Sequence, residues 1–287
     1  MESLRTGPIS GIEIVHHVEP GIELEPARGI WSREEAFDGP VSISHAIGDV
    51  SVDRMRHVTD IGLRVSYFAP ANGGTAVRIR NLDPRGPIHL LRVLRPGYEY
   101  AVSYEFAPLS PVYRRDVEIA AFTHALTVRT TRMMAHGCGL IAGNGRGVVC
   151  LGTSGAGKST ASRMLDDRCG ARVLNDDRLV IERRAAGFQL WSTPWPGTSG
   201  VARPGDAKLS MIALIGRGTR RERRVLAPRE ALPRVLATLA LPIWDQSLMW
   251  DAVGFVDELL EQIPIVELRY PLDAATPEWL AEALLEE

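Results

Sequence analysis

Two hydrophobic rhythms divide the chain. Up to about residue 110, short alternating runs recur, among them Ile12-Glu13-Ile14-Val15, Val41-Ser42-Ile43, Leu63-Arg64-Val65-Ser66-Tyr67, Ala76-Val77-Arg78-Ile79-Arg80 and His89-Leu90-Leu91-Arg92-Val93-Leu94. Side chains of a strand point alternately to its two faces, so this period of two predicts half-buried strands. Turn residues separate the runs, as in Pro70-Ala71-Asn72-Gly73-Gly74. Residues 1–112 are therefore expected to form a small β-rich domain of antiparallel strands.

From Pro111 the period lengthens. Val117, Ala120, Ala121, Ala125 and Val128 follow i, i+3, i+4 spacing and predict an amphipathic helix over Asp116 to Met134. Met134 to Ala142 then reads as a strand with an embedded His136-Gly137, and Asn144-Gly145 as a hairpin turn into the apolar strand Gly147 to Leu151. Ala161 to Leu165 opens a helix that Gly170 terminates. Further elements are a strand from Ala171 to Leu174, a second at Leu179 to Ile181 and a third at Leu209 to Ile215. A helix follows over Arg229 to Leu239, then an amphipathic helix from Trp244 to Ile263, a strand at Ile265 to Tyr270 and a closing helix from Pro277 to Glu286. Alternating strands and helices of this kind make residues 113–287 an α/β domain.

The stretch between the strand at Gly147 to Leu151 and the helix after it carries the chemistry. Gly152-Thr153-Ser154-Gly155-Ala156-Gly157-Lys158-Ser159-Thr160 matches G-x-x-x-x-G-K-[ST], the phosphate-binding loop. Glycines let consecutive backbone N–H groups converge on one concavity, at which the following helix points its positive end. The expectation is that the loop holds the phosphates of ATP, that Lys158 reaches the β- and γ-phosphates, and that the Ser159 hydroxyl joins a Mg²⁺ shell.

A second signal follows about 18 residues after Lys158, where an apolar strand ends in Asp176-Asp177. Phosphoryl transfer needs metal charge on the transferred group and an oriented nucleophile, and two carboxylates can divide those tasks. An acidic pair this soon after the loop suggests a kinase, in which one carboxylate supports Mg²⁺ and the other deprotonates a hydroxyl. Which Asp does which is open.

Composition narrows the class without changing it. The chain has 287 residues, 45% hydrophobic and 24% charged, with net charge −2, an ordinary globular balance that points to neither nucleic acid nor a membrane surface as a partner. The first residues lack a basic region followed by an apolar core, and no run reaches the length of a membrane span. Cys138, Cys150 and Cys169 are odd in number and too scattered for a zinc site or a disulfide framework, and a reduced, cytoplasmic protein is expected.

His136-Gly137, GTSGAGKS and Leu174-Asn175-Asp176-Asp177-Arg178 stand in an order and spacing that resembles the HPr kinase/phosphorylase family and its relatives, which include lasso-peptide precursor kinases. Trp191 to Gly197 and the strand Leu209 to Ile215 add to the resemblance, which covers about residues 115–272. It implies an α/β fold with a phosphoenolpyruvate-carboxykinase-like P-loop core, whose mixed, twisted sheet is here preceded by the small β-rich N-terminal domain. It also implies that Gly152 to Thr160 hold ATP, that Ser159, Asp176 and Asp177 serve Mg²⁺, that the Asp pair includes the general base, and that His136 sits near the transferred phosphoryl group. The implied substrate is a serine hydroxyl on a peptide or small protein, and homo-oligomers occur in the family. Thr153 stands where the bifunctional enzymes often carry an acidic residue, Ser159-Thr160 replaces their Ser-Glu, and their C-terminal phosphorolysis signature is missing. These departures point to a kinase-only activity and away from HPr as substrate.

Two other classes fit the same residues: a kinase for a metabolite hydroxyl, and a non-catalytic ATP-responsive binding protein. The histidines His16, His17, His45, His57 and His89 have no metal-ligand spacing and read as structural. Thr193 to Gly200 reads as an ordered loop near the nucleotide. Arg203 and Lys208 after it read as surface charges or as contacts for phosphate. The basic run Arg217 to Arg224 is expected in a hairpin, either as a solvated turn or as a docking patch for an acidic segment.

Overall fold

The computed structural model describes residues 2–20, 22, 39–61, 64–80, 87–106, 111–153, 155–271, 273 and 276–285. It contains two compact units. One holds the described residues up to Arg129 together with Pro242–Leu248, and the other comprises Thr130–Leu241 and Met249–Glu287.

In the first unit, strands β1 (Glu2–Ile9), β2 (Ile12–Val18), β3 (Val41–Ile47), β4 (Met55–Ile61), β5 (Val65–Pro70), β6 (Ala76–Ile79), β7 (His89–Arg95) and β8 (Glu99–Tyr104) form one sheet in the order β1-β2-β3-β8-β7-β6-β5-β4. The expected alternation is present, but the sheet is not purely antiparallel: β3 runs parallel to both β2 and β8. Strand direction depends on how distant segments return to the sheet, which alternation alone does not encode. Helix α1 (Pro111–Val128) follows and counts with this unit. It ends earlier than its apolar spacing suggested. Thr130 takes a left-handed φ of 59°, and Arg132 already begins a strand.

The sheet is held by a buried polar chain. His16 Nδ1 lies 2.9 Å from His45 Nε2, and His45 Nδ1 2.7 Å from the Tyr104 hydroxyl. His16 Nε2 meets Glu118 Oε1 at 3.2 Å. These histidines are interior links between β2, β3, β8 and α1, since buried imidazoles must find partners. Trp244 stacks on Tyr67 with ring centroids 4.4 Å apart, an aromatic anchor within the same unit.

The second unit is mixed α/β. Its strands are β9 (Arg132–Ile141), β10 (Gly147–Leu151), β11 (Arg172–Asn175), β12 (Arg178–Arg184), β13 (Gly187–Ser192), β14 (Asp206–Arg217), β15 (Glu222–Val225) and β16 (Ile265–Tyr270). Its helices are α2 (Lys158–Arg168), α3 (Pro228–Leu236), α4 (Gln246–Gln262), whose first turn falls in the other unit, and α5 (Thr276–Leu285). The strands run in the order β10-β9-β12-β13-β14-β16-β15, with β11 beside β9 and a further ladder between β10 and β14. Strands β9 and β14 are long and each serves more than one ladder: β9 pairs β12 through His136 and β10 from Gly137 onward. At that changeover a Cβ on Gly137 would lie 2.7 Å from the Leu151 side chain and 2.8 Å from the Cys150 carbonyl, so only glycine allows the approach.

One apolar layer, including Leu179, Leu190, Ile212, Phe255 and Leu259, lies on the α3–α4 side, and another, including Cys150, Ala161, Leu165, Leu268 and Leu280, on the α2–α5 side. Cys138 and Cys150 face each other as ladder partners in the second layer, both free, and burial pushes the Cys138 thiol up to about 12. The segment Arg217 to Arg224 is not a hairpin. Strand β16 inserts between β14, to which it is parallel, and β15, to which it is antiparallel. No described helix is long and apolar enough to cross a membrane.

Candidate active site

Strand direction brings the candidate residues together. Strands β10 and β11 are both antiparallel to β9, so they point the same way and α2 is the crossover between them. Their carboxyl ends therefore emerge at one end of the sheet, where α/β proteins bind ligands. The phosphate-loop signature continues from β10, and Asp176-Asp177 follow β11. The point of β9 at which its ladders change, His136-Gly137, lies between them, because Gly137 is the ladder partner of Leu151 and His136 that of Arg178.

The loop has the backbone its glycines predict. Gly155 and Gly157 adopt left-handed φ values of 79° and 100°, which a side chain would strain. A Cβ on Gly152 would sit 2.8 Å from the Ile215 carbonyl oxygen and 3.2 Å from Ala156 Cβ. Thr153 and Gly155 are exposed, Ala156, Ser159 and Thr160 half-buried, and Ser154 lies outside the described residues. Helix α2 begins at Lys158 with Gly157 as its N-cap, and no side chain caps its first turn. Free N–H groups at such a terminus suit an anion.

Lys158 is 7% exposed, and its ammonium is folded onto the loop, donating to the Gly152 carbonyl at 2.7 Å and the Thr153 carbonyl at 3.0 Å. Burial pushes its amine below the ordinary lysine value, and the nearby Asp177 carboxylate opposes that shift. Among the described residues this ammonium has two carbonyl partners and lies beside an uncapped helix start, an arrangement that suits an anion.

The two aspartates differ in situation. Asp176 is 2% exposed and its carboxylate is taken up by backbone: Oδ1 accepts the Gly197 N–H at 2.8 Å and Oδ2 the Ser199 N–H at 2.9 Å. It moors the Pro-Gly loop that the sequence placed near the nucleotide. Gly197 is required there, since a Cβ would fall 2.8 Å from Asp177 Cβ. Asp177 faces other side chains. Its Oδ1 is 2.8 Å from His136 Nδ1, its Oδ2 accepts from the Arg178 guanidinium, and its side chain is 15% exposed. His136 is half-exposed.

Sequence reasoning passed over the residue that sets this turn. Asn175 is fully buried, its Oδ1 accepts the N–H groups of Asp177 at 2.8 Å and Arg178 at 2.9 Å, and its Nδ2 donates to the Thr193 carbonyl at 2.8 Å. An Asn two residues before the second acid is the available signal, since Asx side chains cap their own backbone in this way. Arg203, a candidate phosphate contact, is instead gripped by Asp166 of α2, with both guanidinium nitrogens within 2.7 Å of its carboxylate oxygens. That fork ties the crossover helix to the segment after the Pro-Gly loop.

A cleft of about 520 Å³ opens beside the loop. The loop residues Gly152, Thr153, Gly155 and Ala156 form one wall, the end of β14 from Leu214 to Arg217 another, and Arg234 and Thr238 line the α3 side. The Thr238 carbonyl accepts the His136 N–H at 2.7 Å, so this cleft runs from the phosphate loop toward the strand that carries His136. Among the described residues no three His, Cys, Asp or Glu side chains are grouped to hold a metal by themselves. A Mg²⁺ ion here would rely on phosphate oxygens, as it commonly does beside one or two carboxylates.

No protein-family model matches this chain, and no curated protein does. Among solved structures, the HPr(Ser) kinase/phosphatase from Coxiella burnetii is similar over 52% of this chain and 92% of its own, with TM-score 0.30 and 12% identity. A likeness at that level carries no argument about activity.

Proposed function

We propose that this protein is an ATP- and Mg²⁺-dependent kinase with a P-loop core that transfers a phosphoryl group to a serine hydroxyl of a peptide or small protein. One observation carries the reading. The phosphate-loop signature with its lysine, and a carboxylate–imidazole pair, meet at the same end of one sheet, and Asp177 is close enough to act on the charge of Lys158. ATP and Mg²⁺, when bound, supply the phosphoryl group and neutralise its charge.

The chain's own residues do the rest. The loop amides and the first turn of α2, with Ser159 and Thr160, hold the phosphates, and Lys158 Nζ exchanges two carbonyl partners for phosphate oxygen. Asp177 accepts the serine proton as general base, while His136 Nδ1 and the Arg178 guanidinium keep its carboxylate aimed. Asp176 positions the Gly197–Ser199 loop beside the base instead of reacting.

Incubation with Mg·ATP labelled at the γ-phosphate, and with a panel of serine peptides, tests this by intact mass and label transfer. Label should appear on serine and disappear in Lys158→Ala, whose fold should persist by circular dichroism. Nucleotide binding without transfer to any serine peptide would count against a peptide kinase, and transfer to a small hydroxy compound alone would move the assignment to metabolites.

A further inference from the structure

The basic surface beside the cleft is unused by this mechanism. Arg217 ends β14, is exposed, lines the cleft, and makes no ion pair among the described residues. Arg234 lines the same cleft from α3. Nearby, Glu267 of β16, only 8% exposed, is shared by Arg224 at 3.3 Å, Arg234 at 2.9 Å and Arg269 at 3.1 Å. Arg224 also meets Glu230 at 3.1 Å. With Arg217, that places four guanidinium groups against two carboxylates. The uncompensated charge is local, since the chain as a whole is slightly acidic.

Backbone geometry adds an independent feature. Among the described residues strand β15 is the edge of its sheet and pairs with β16 alone. All four of its residues are exposed, Val225 by 66%. An unprotected edge presents unpaired N–H and C=O groups that only an extended chain can satisfy in register. A small anionic metabolite would use the arginines and leave that edge bare.

We infer that the cleft and the β15 edge form the docking track for an extended acidic peptide, with acidic residues flanking the serine and meeting Arg217, Arg224 and Arg234. The identity of the acceptor as a substrate rests on the kinase reading, whereas the docking itself does not. Charge complementarity of this kind sets partner choice and association rate and weakens with salt.

Docking is measured on the full chain by fluorescence anisotropy, with a labelled synthetic peptide carrying one serine between two runs of glutamate. The probe for comparison replaces glutamate by lysine. The glutamate peptide should bind at least about tenfold more tightly, and its affinity should fall with added salt. Arg217→Glu should abolish the preference and Arg217→Lys should keep most of it, with thermal midpoints confirming that both variants fold. Equal binding of the two peptides, or an Arg217→Glu variant that binds the acidic peptide as the parent does, overturns the inference. Binding of the acidic peptide with no label transferred from ATP leaves the docking track standing and counts against the peptide-kinase reading alone. Transfer to small hydroxy acids without peptide binding removes the track.

Discussion

His136 Nδ1 and Asp177 Oδ1 lie 2.8 Å apart although 40 residues of chain, carrying the Gly152–Thr160 loop and helix α2, lie between them. Residue Arg178, next to Asp177, is the ladder partner of His136, and the Asp177 carbonyl accepts the Gly137 N–H at 2.9 Å. The pair is thus fixed by backbone on both sides, which gives the carboxylate a definite direction before any ligand arrives.

Asp177→Asn keeps the size of the side chain and, in the proposed mechanism, removes the proton acceptor. Transfer should fall by about 10²–10⁴-fold, the usual contribution of a general base, while ATP affinity changes little. His136→Gln should cost less, since it removes orientation and not the base. Steady-state kinetics beside calorimetric titration with ATP separates the two, and equal, full activity in both variants would exclude the pair from the chemistry.

Asp176→Ala should act on stability first. It strips the half-buried backbone N–H groups of Gly197 and Ser199 of their acceptor, at up to about 1–3 kcal/mol for each group that water does not reach. Urea denaturation should show a loss of about that size, accompanied by greater protease sensitivity of the loop. A variant as stable as the parent would mean that the loop is held elsewhere.

Tyr270→Phe should stabilise the protein. The Tyr270 hydroxyl is buried with no hydrogen-bond partner among the described residues, and burial holds the phenol well above its ordinary value. It lies 3.8 Å from where a Cβ on Gly157 would be, beneath the start of α2. Removing an unsatisfied hydroxyl should add about 1 kcal/mol, read by chemical denaturation. A loss of similar size would reveal a buried water or a loop contact.

Acid should destabilise the β-rich unit. Burial holds the imidazoles of His89 and His124 down to about 4, from an ordinary 6.5. Above about pH 8 neither folded nor unfolded chain binds these protons. As pH falls from 6.5 toward 4, the unfolded chain takes up protons that the folded chain refuses, so stability declines, and the loss saturates below the folded value. Each histidine contributes up to about 3 kcal/mol. Urea midpoints followed by tryptophan fluorescence across this range should fall, and His124→Gln should shrink the slope.

Much of the local architecture was legible beforehand. Gly145 has the left-handed φ of 83° that Asn144-Gly145 implied, and Gly170 closes α2 with a φ of 67°. Strand β16 runs from Ile265 to Tyr270 as its apolar run suggested. Strands β1, β4 and β8 were not anticipated. For β4 the burial pattern shows why, since none of its residues is fully buried and it carries no hydrophobic alternation to detect, whereas β8 alternates between buried and half-buried positions and was legible in principle.

Turn conformation, helix start and strand period are properties of a few adjacent residues, so the loop after β10 and its flanking elements were readable from local sequence. Glycines at 152, 155 and 157 and the lysine after them needed no distant partner to be recognised. The difference between the two adjacent aspartates arises from long-range contacts. Asp176 meets amides more than twenty residues later in the chain, and Asp177 meets a histidine 41 residues earlier. The tertiary structure likewise turned an expected basic hairpin into an exposed edge, by inserting β16 between β14 and β15. Such meetings follow from strand order and register, which are set by packing across the whole sheet and leave no local trace.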